Sequence, residues 1–226
     1  MYKMKYFHQE MRKIEKQLYK MGLATKMQME RVPTALFSKD EKHAIQLISE
    51  DETIDRFDQK VHTDVLNLIM LQPPLPHELR ILTSMMRVAR ELERMGDQIV
   101  NIAEIAKERP TDPKTQYNSE KVEQAVREMN HISLEMMSHA LSMMKEKDYQ
   151  DYDALEQQDE RVDALFYTTQ KQLSTEMKQD PLRIDSLAPF FLVARYQERI
   201  ADHVVNIVRK LKESQEEGVV YGLDSD

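Results

Sequence analysis

An internal repeat limits the fold of this chain more than any other feature of the sequence. Residues 90–102 read RELERMGDQIVNI, and residues 195–207 read RYQERIADHVVNI. Arginine, Glu-Arg, aspartate and Asn-Ile recur at a constant offset of 105 positions (195 − 90 = 105). Segments around Asp51 and Asp159 are related by an offset of 108 (159 − 51 = 108). Because a repeated unit determines the architecture of a chain, we expect two copies of one fold unit.

Composition and periodicity predict helices in both copies. The 226 residues include only four glycines and eight prolines, and good helix formers are abundant. Apolar residues recur with helical spacing in six long segments. Helices are expected at residues 6–37, 41–71, 77–107, 119–146, 149–179 and 186–213. Pro33 is expected to kink the first helix, and Asp40 to cap the second.

The predicted fold is all-α, with two tandem antiparallel three-helix bundles related by internal duplication. The first repeat is assigned to residues 1–110 and the second to residues 118–215. Residues 111–117 have the composition of a linker, and residues 216–226 are interpreted as a frayed tail.

The composition excludes several classes of function. Cysteine is absent, which excludes disulfides, thiolate metal sites and zinc sites of the finger type. The net charge of −8 argues against nucleic acid as a principal partner. There is no signal-peptide pattern, and no run of about 18 apolar residues that could span a membrane. We therefore expect a cytoplasmic protein without direct membrane insertion, whose contact with a membrane would have to come through a partner.

Pairs of acidic residues four positions apart recur on the second and third helix of each predicted bundle. Residues at this spacing lie on one face of a helix, and antiparallel neighbouring helices can bring two such pairs together. Four carboxylates could then bind more than one metal ion, and their hard oxygen atoms suit iron, manganese, magnesium or calcium. The eight candidate ligands are Asp51, Asp55, Glu93, Asp97, Asp159, Asp163, Glu198 and Asp202.

Four further side chains are possible additional ligands. Asp58 and His62 share a helix face with Asp51 and Asp55, but Phe166 and Gln170 hold the matching places in the second half. Asn101 and Asn206 continue the four-residue spacing beyond the acidic pairs of the third helices.

A plain helical scaffold is the alternative to a metal protein. In that interpretation the carboxylates are solvated, and their repulsion is offset by ion pairs with arginines of the same helices. These arginines are Arg90, Arg94, Arg195 and Arg199.

Together, these motifs resemble those of the PhoU family of phosphate-signalling proteins. The family's E(D)xxxD element stands here as Asp51xxxAsp55, Glu93xxxAsp97, Asp159xxxAsp163 and Glu198xxxAsp202. The extended forms Glu93-Arg-Met-Gly-Asp97 and Glu198-Arg-Ile-Ala-Asp202 are similar to the family's cores, although Ala201 replaces the glycine found at Gly96. The resemblance covers roughly residues 6 to 213.

The resemblance implies two three-helix bundles that hold multinuclear metal clusters, of iron or zinc, on those carboxylates. It also implies a role outside catalysis, as an adaptor between the ATPase of a phosphate ABC transporter and a sensor histidine kinase. Such an adaptor represses the phosphate-starvation response when phosphate is plentiful, and a homodimer is implied as well. A divergent relative with another regulatory target is the alternative.

An enzyme with a carboxylate-bound di-iron site is a rival of another class. That chemistry expects Glu-x-x-His motifs from two helices, and the chain offers one, Glu128 with His131, without a counterpart in the first half. Neither a phosphate-binding glycine loop nor a Ser-His-Asp arrangement is indicated. We therefore do not expect catalysis.

Overall fold

The structure is a computed structural model that describes residues 2–38, 40–109 and 119–220, with side chains from residue 6 to residue 215. The predicted linker, residues 111–117, and the end of the predicted tail, residues 221–226, lie outside the described residues. Six long helices and one short helix follow one another, and no strand occurs within the described ranges. The helices are α1 (Tyr2–Phe37), α2 (Lys42–Leu71), α3 (Pro76–Glu108), α4 (Glu120–Glu146), α5 (Tyr152–Gln179), α6 (Ile184–Leu187) and α7 (Pro189–Val220).

The helix ends follow from local chemistry. The side chain of Asp40 accepts the backbone N–H of Lys42 at 3.0 Å, but α2 begins one residue later than predicted, so that Glu41 and not Asp40 holds the N-cap position. Ser119 caps α4 by accepting the N–H of Val122 at 3.3 Å. Lys147 ends α4 in the left-handed conformation, with φ of 56°. Pro33 lies within α1, whose helical assignment continues to Phe37, and the kink there stays a prediction.

The main differences from the predicted helices lie near the C-terminus. The break after α5 contains a 3₁₀ turn, Pro181–Arg183, followed by the short helix α6. Pro189 then begins α7, since proline is well suited to the first turn of a helix. Helix α7 continues to Val220, seven residues beyond the predicted end at residue 213. Gln215, Glu216 and Glu217 favour the first part of this extension, whereas helix propensity does not explain its continuation through Gly218.

Two three-helix bundles result, and this confirms the predicted fold class. Helices α1, α2 and α3 pack together, as do α4, α5 and α7, while α3–α7 and α1–α4 contacts join the bundles. Ile54, Leu92 and Met95 are buried in the first core, and Val162, Ile200 and Val204 in the second. None of the described helices combines the length and the apolar character needed to cross a bilayer.

Helices α3 and α7 run antiparallel to each other where the bundles meet. Glu91 on α3 contacts His203 on α7, and Ser84 donates a hydrogen bond to the carbonyl of Lys210 at 2.7 Å. A residue earlier on α3 thus meets a residue later on α7. Because α3 and α7 carry the two copies of the repeat, this interface is formed by duplicated elements.

Candidate metal centres

The first candidate centre lies between α2 and α3. Asp51 and Asp55 stand one turn apart on α2, and Glu93 and Asp97 one turn apart on α3. Burial raises the pKa of Asp51 to about 6, and the negative charges of Asp55, Asp97 and Glu93 add to the shift. The pKa of Asp97 is also raised, by burial and then by Asp55. The fold therefore brings the four predicted carboxylates into one electrostatic cluster.

The second candidate centre repeats this arrangement between α5 and α7. Burial raises the pKa of Asp159 to about 7, with further contributions from Asp202, Asp163 and Glu198. The pKa values of Asp163 and Glu198 are raised as well, in each case by burial first and then by Asp202. The second set of predicted carboxylates is thus brought together across the helix pair in the same way.

Several oxygen atoms in these centres are buried without a partner. Oδ1 of Asp51, Oδ1 of Asp159 and Oε2 of Glu198 accept no hydrogen bond. A buried polar group without a partner is costly, and it requires an explanation such as an unseen ion. A carboxylate-only donor set with raised pKa values and unpaired oxygens fits a hard or borderline cation.

The carboxylates of the two centres are not arranged in a geometry that coordinates an ion. Among the described residues, no group of three or more carboxylate or imidazole side chains is arranged to hold one. Binding would therefore require other rotamers of these carboxylates. The clusters are electrostatically suited to a cation without being closed around one.

Ion pairs with arginine offset only part of the negative charge of the two candidate centres. Arg90 pairs with Glu93 at 2.9 Å, and Arg195 pairs with Glu198 at 2.5 Å. Arg94 instead lies 3.6 Å from Glu91. The ion pairs expected from the scaffold interpretation are therefore formed by one glutamate in each centre. Within the described part of the chain, no hydrogen bond or ion pair is formed by six aspartates: Asp51, Asp55, Asp97, Asp159, Asp163 and Asp202.

The possible additional ligands on α2 make contacts with other residues near the first centre. Asp58 is buried, lies 3.2 Å from Arg90 and raises the pKa of Glu93 after burial and Asp97. His62 directs Nδ1 to the backbone carbonyl of Asp58 at 2.9 Å, with the carboxylate at 3.3 Å. Their role as ligands stays a prediction.

The two asparagines differ from each other. Asn206 accepts a hydrogen bond from Arg209, whereas Asn101 is half-buried and makes no hydrogen bond to the described residues. Metal binding by either asparagine also stays a prediction.

A buried polar network beside the first centre was missed by sequence reasoning. Oε2 of Glu91 lies 2.7 Å from Nδ1 of His203, and Oε1 lies 3.1 Å from Nζ of Lys210. Burial acts to raise the pKa of Glu91, but the hydrogen bonds from His203 and Lys210 hold it at about 2. The repeat does not indicate this network, because its residues are not duplicated. Tyr196 is the counterpart of Glu91, and Gln98 is the counterpart of His203.

The one Glu-x-x-His motif is on the outside of α4. Glu128 is half-exposed and lies 3.7 Å from Arg161, while His131 is largely exposed and lies 3.4 Å from Glu135. Neither side chain points into a bundle. The geometry that a di-iron enzyme would require of this motif is therefore missing.

Comparison with known proteins places this architecture in a family. The PhoU domain matches the chain twice, at residues 18–106 and 126–211. The phosphate-specific transport system accessory protein PhoU homolog of Clostridium acetobutylicum is 28% identical over 207 residues, covering 90% of this chain and 91% of that protein. The protein of the same name from Aquifex aeolicus is 28% identical over 194 residues, covering 84% of each.

Two crystal structures share the fold over nearly their whole length. PhoU from Pseudomonas aeruginosa superposes with a TM-score of 0.85 at 24% identity, covering 93% of this chain and 99% of that one. The phosphate transport system regulatory protein PhoU from Streptococcus pneumoniae gives a TM-score of 0.83 at 25% identity, covering 93% and 97%. The domain match in both halves and the shared fold confirm the resemblance seen in the repeated motifs, and the chain belongs to the PhoU family.

Proposed function

We propose that this protein is a metal-binding regulator that serves a phosphate-specific transport system. The transport role rests on family membership and on relatives that are named as accessory proteins of such systems. The metal role rests on the unpaired, buried oxygens of Asp51 and Asp159 in two clusters of carboxylates. No catalytic role is proposed, since the relatives are named as accessory or regulatory proteins.

The metal ions would be held by four carboxylates in each bundle. Asp51, Asp55, Glu93 and Asp97 would hold ions in the first, and their counterparts Asp159, Asp163, Glu198 and Asp202 in the second. When bound, the cations neutralise the mutual repulsion of these groups and connect two helices of one bundle. Iron or zinc clusters are proposed, with magnesium, manganese or calcium as alternatives.

The proposed regulatory role is that of an adaptor. The protein would connect the ATPase of the phosphate ABC transporter with a sensor histidine kinase, and it would repress the starvation response when phosphate is plentiful. A cytoplasmic homodimer is proposed as the working form. A related helical scaffold with another regulatory target is the second candidate, favoured by the arginine pairing of Glu93 and Glu198.

Metal content tests the first part of the proposal. Untagged protein purified without chelator is expected to carry more than one transition-metal equivalent by elemental mass spectrometry. Replacing Glu93 and Asp97 by alanine should remove the metal bound at the first centre. Replacing Glu198 and Asp202 by alanine should remove the metal bound at the second centre. Glu104→Ala, an exposed acid on α3, is the matched control. Wild-type protein that carries no metal, and whose stability does not respond to added metal, would refute metal binding.

A gene deletion tests the regulatory part. Secreted phosphatase activity in phosphate-rich medium should be high in the deletion strain and low again after complementation with the wild-type gene. Complementation with the variant that lacks the carboxylates of Glu93 and Asp97 then shows whether the first centre is needed. Unchanged activity in the deletion strain would favour the second candidate, a scaffold with a different target.

A further inference from the structure

A pocket of about 460 Å³ opens beside the α3–α7 interface, and its wall is rich in cations. Helix α3 contributes Arg87, Arg90 and Arg94, whose spacing of three and four residues places them on one face. Helix α7 contributes Lys210. Four permanent cations thus line one pocket in a chain whose net charge is −8.

Only one carboxylate lines the same pocket. It belongs to Glu91, which is buried, is bonded to His203 and Lys210, and lies 3.6 Å from Arg94. Arg90 is paired with Asp58 and Glu93, which lie outside the lining. Arg87 forms no ion pair or hydrogen bond with the described residues, and its side chain is exposed. The lining therefore keeps an excess of positive charge.

Two of these cations are not shared by the two copies of the internal repeat. At the offset of 105, the counterpart of Arg87 is Leu192 (87 + 105 = 192), and that of Lys210 is Ile105 (210 − 105 = 105). The duplicated positions thus carry apolar side chains in place of the two cations. Only Arg90 and Arg94 recur in the second copy, as part of the shared motif. Arg87 and Lys210 each occur in one copy of the repeat and have no cationic counterpart in the other.

We propose that this pocket binds a phosphoryl anion, either free inorganic phosphate or the phosphate chain of a nucleotide. Guanidinium groups donate paired hydrogen bonds that match the oxygens of a phosphoryl group, and such charge-assisted bonds are strong. Arg87 has all of its donors available. Lys210 has three donors and gives one to Glu91, so the buried carboxylate positions the ammonium group and leaves donors for a ligand.

The site is separate from the proposed metal centres, and it is tested on metal-free protein. Calorimetric titrations with orthophosphate and with ATP, at constant ionic strength after chelation and desalting, exclude binding through a metal ion. We expect saturable binding of at least one of the two probes. Orthophosphate binding would identify the free anion as sufficient, and binding of ATP alone would identify the phosphate chain of a nucleotide.

Single variants assign the binding to the pocket. Arg87→Gln and Lys210→Gln should each weaken binding by about tenfold, as expected for loss of one charge-assisted bond. Arg94→Gln should weaken it too, whereas Arg199→Gln, at the counterpart of Arg94, should leave it unchanged. Replacing Glu93 and Asp97 by alanine should abolish metal binding at the first centre without abolishing anion binding.

Two results would overturn the proposal. The first is the absence of saturable binding of either probe to wild-type protein. The second is unchanged affinity in Arg87→Gln, whose exposed side chain makes loss of the fold an insufficient explanation. Circular dichroism of each variant provides the check on folding.

Discussion

Oδ1 of Asp51 lies 2.6 Å from the position that a β-carbon on Gly96 would occupy. That distance is too short for a non-bonded contact, so the carboxylate can stand there only because residue 96 is glycine. Its counterpart in the second bundle is Ala201 (96 + 105 = 201), whose side chain is fully buried. The two candidate centres therefore differ in the space beside their most buried aspartates.

Gly96→Ala is expected to impair the first centre without unfolding the protein. The new methyl group would displace the Asp51 carboxylate, and the flexible side chain can turn away. Metal affinity at the first centre should fall by about tenfold. This is the lower end of the loss seen when a residue that orients a metal ligand is changed. The stability of the metal-free protein should be kept or improved, since alanine favours a helix over glycine by about 1 kcal/mol.

Metal titration against a competing chelator measures the effect of Gly96→Ala. The reciprocal change, Ala201→Gly, is the matched control and should leave the first centre unaffected. Equal metal affinity of Gly96→Ala and wild type would show that Asp51 does not need this space for binding.

Asp159→Asn should stabilise the metal-free protein. Asp159 has a pKa raised to about 7, mainly by burial and then by Asp202, so its ionised form is unfavourable in the fold. The neutral amide keeps the shape and removes the repulsion, and the free energy of unfolding should rise by about 1 kcal/mol. Urea unfolding at neutral pH after chelation measures it.

The exposed neighbour Glu160 provides the control for that experiment. Glu160→Gln should change the free energy of unfolding by no more than about 0.5 kcal/mol. In the presence of metal the order should reverse, because Asp159→Asn removes a ligand of the second centre. A metal-free Asp159→Asn protein that is less stable than wild type would contradict the assigned repulsion.

The repeat and the helices could be predicted because both are local properties of the sequence. Apolar periodicity is visible within one segment, and a constant offset relates Asp51 to Asp159 without knowledge of the fold. Once antiparallel helices are assumed, the clustering of acids on α2 and α3 follows from their four-residue spacing.

Contacts between the bundles could not be predicted in this way. Glu91 and His203 are 112 positions apart, and their contact depends on how α3 and α7 are rotated against each other. The pairing of Asp58 with Arg90 depends similarly on the register between α2 and α3. No periodicity within one helix contains that information, so the cationic pocket and the network around Glu91 were visible only in the structure.

Glu91→Ala is expected to be among the most destabilising single changes at the bundle interface. It would leave His203 buried without its partner and Lys210 without the bond of 3.1 Å to Glu91. Removing one member of such a buried pair costs about 3 kcal/mol. Urea unfolding should show this loss, while Glu104→Ala on the exposed face of α3 should lie within about 0.5 kcal/mol of wild type.

An equally small loss in Glu91→Ala and Glu104→Ala would contradict the role assigned to the network. Glu91→Gln provides the intermediate case, because its amide oxygen can still accept a hydrogen bond from His203. It should therefore be more stable than Glu91→Ala.

The stability of the start of α3 should depend on pH through Glu78. Its Oε2 accepts the backbone N–H of Leu75 at 2.8 Å, and its Oε1 lies 2.8 Å from Nε2 of His8 on α1. Burial acts to raise the pKa of Glu78, but the bonds from Leu75 and His8 outweigh it and lower the pKa below its ordinary value of 4.5. The ionised carboxylate therefore stabilises the fold.

The sign of the pH dependence follows from this lowered pKa. The stabilisation by Glu78 is fully present above its unfolded pKa of 4.5 and is lost as the pH falls through the lower folded pKa. Glu78→Gln should cost about 1 kcal/mol at pH values near 5.5 and progressively less in more acidic solution. Urea unfolding of wild type and variant across that range measures the difference, with Glu104→Gln as the control. A difference that stays constant down to the acid limit would show that the charge of Glu78 does not stabilise the helix start.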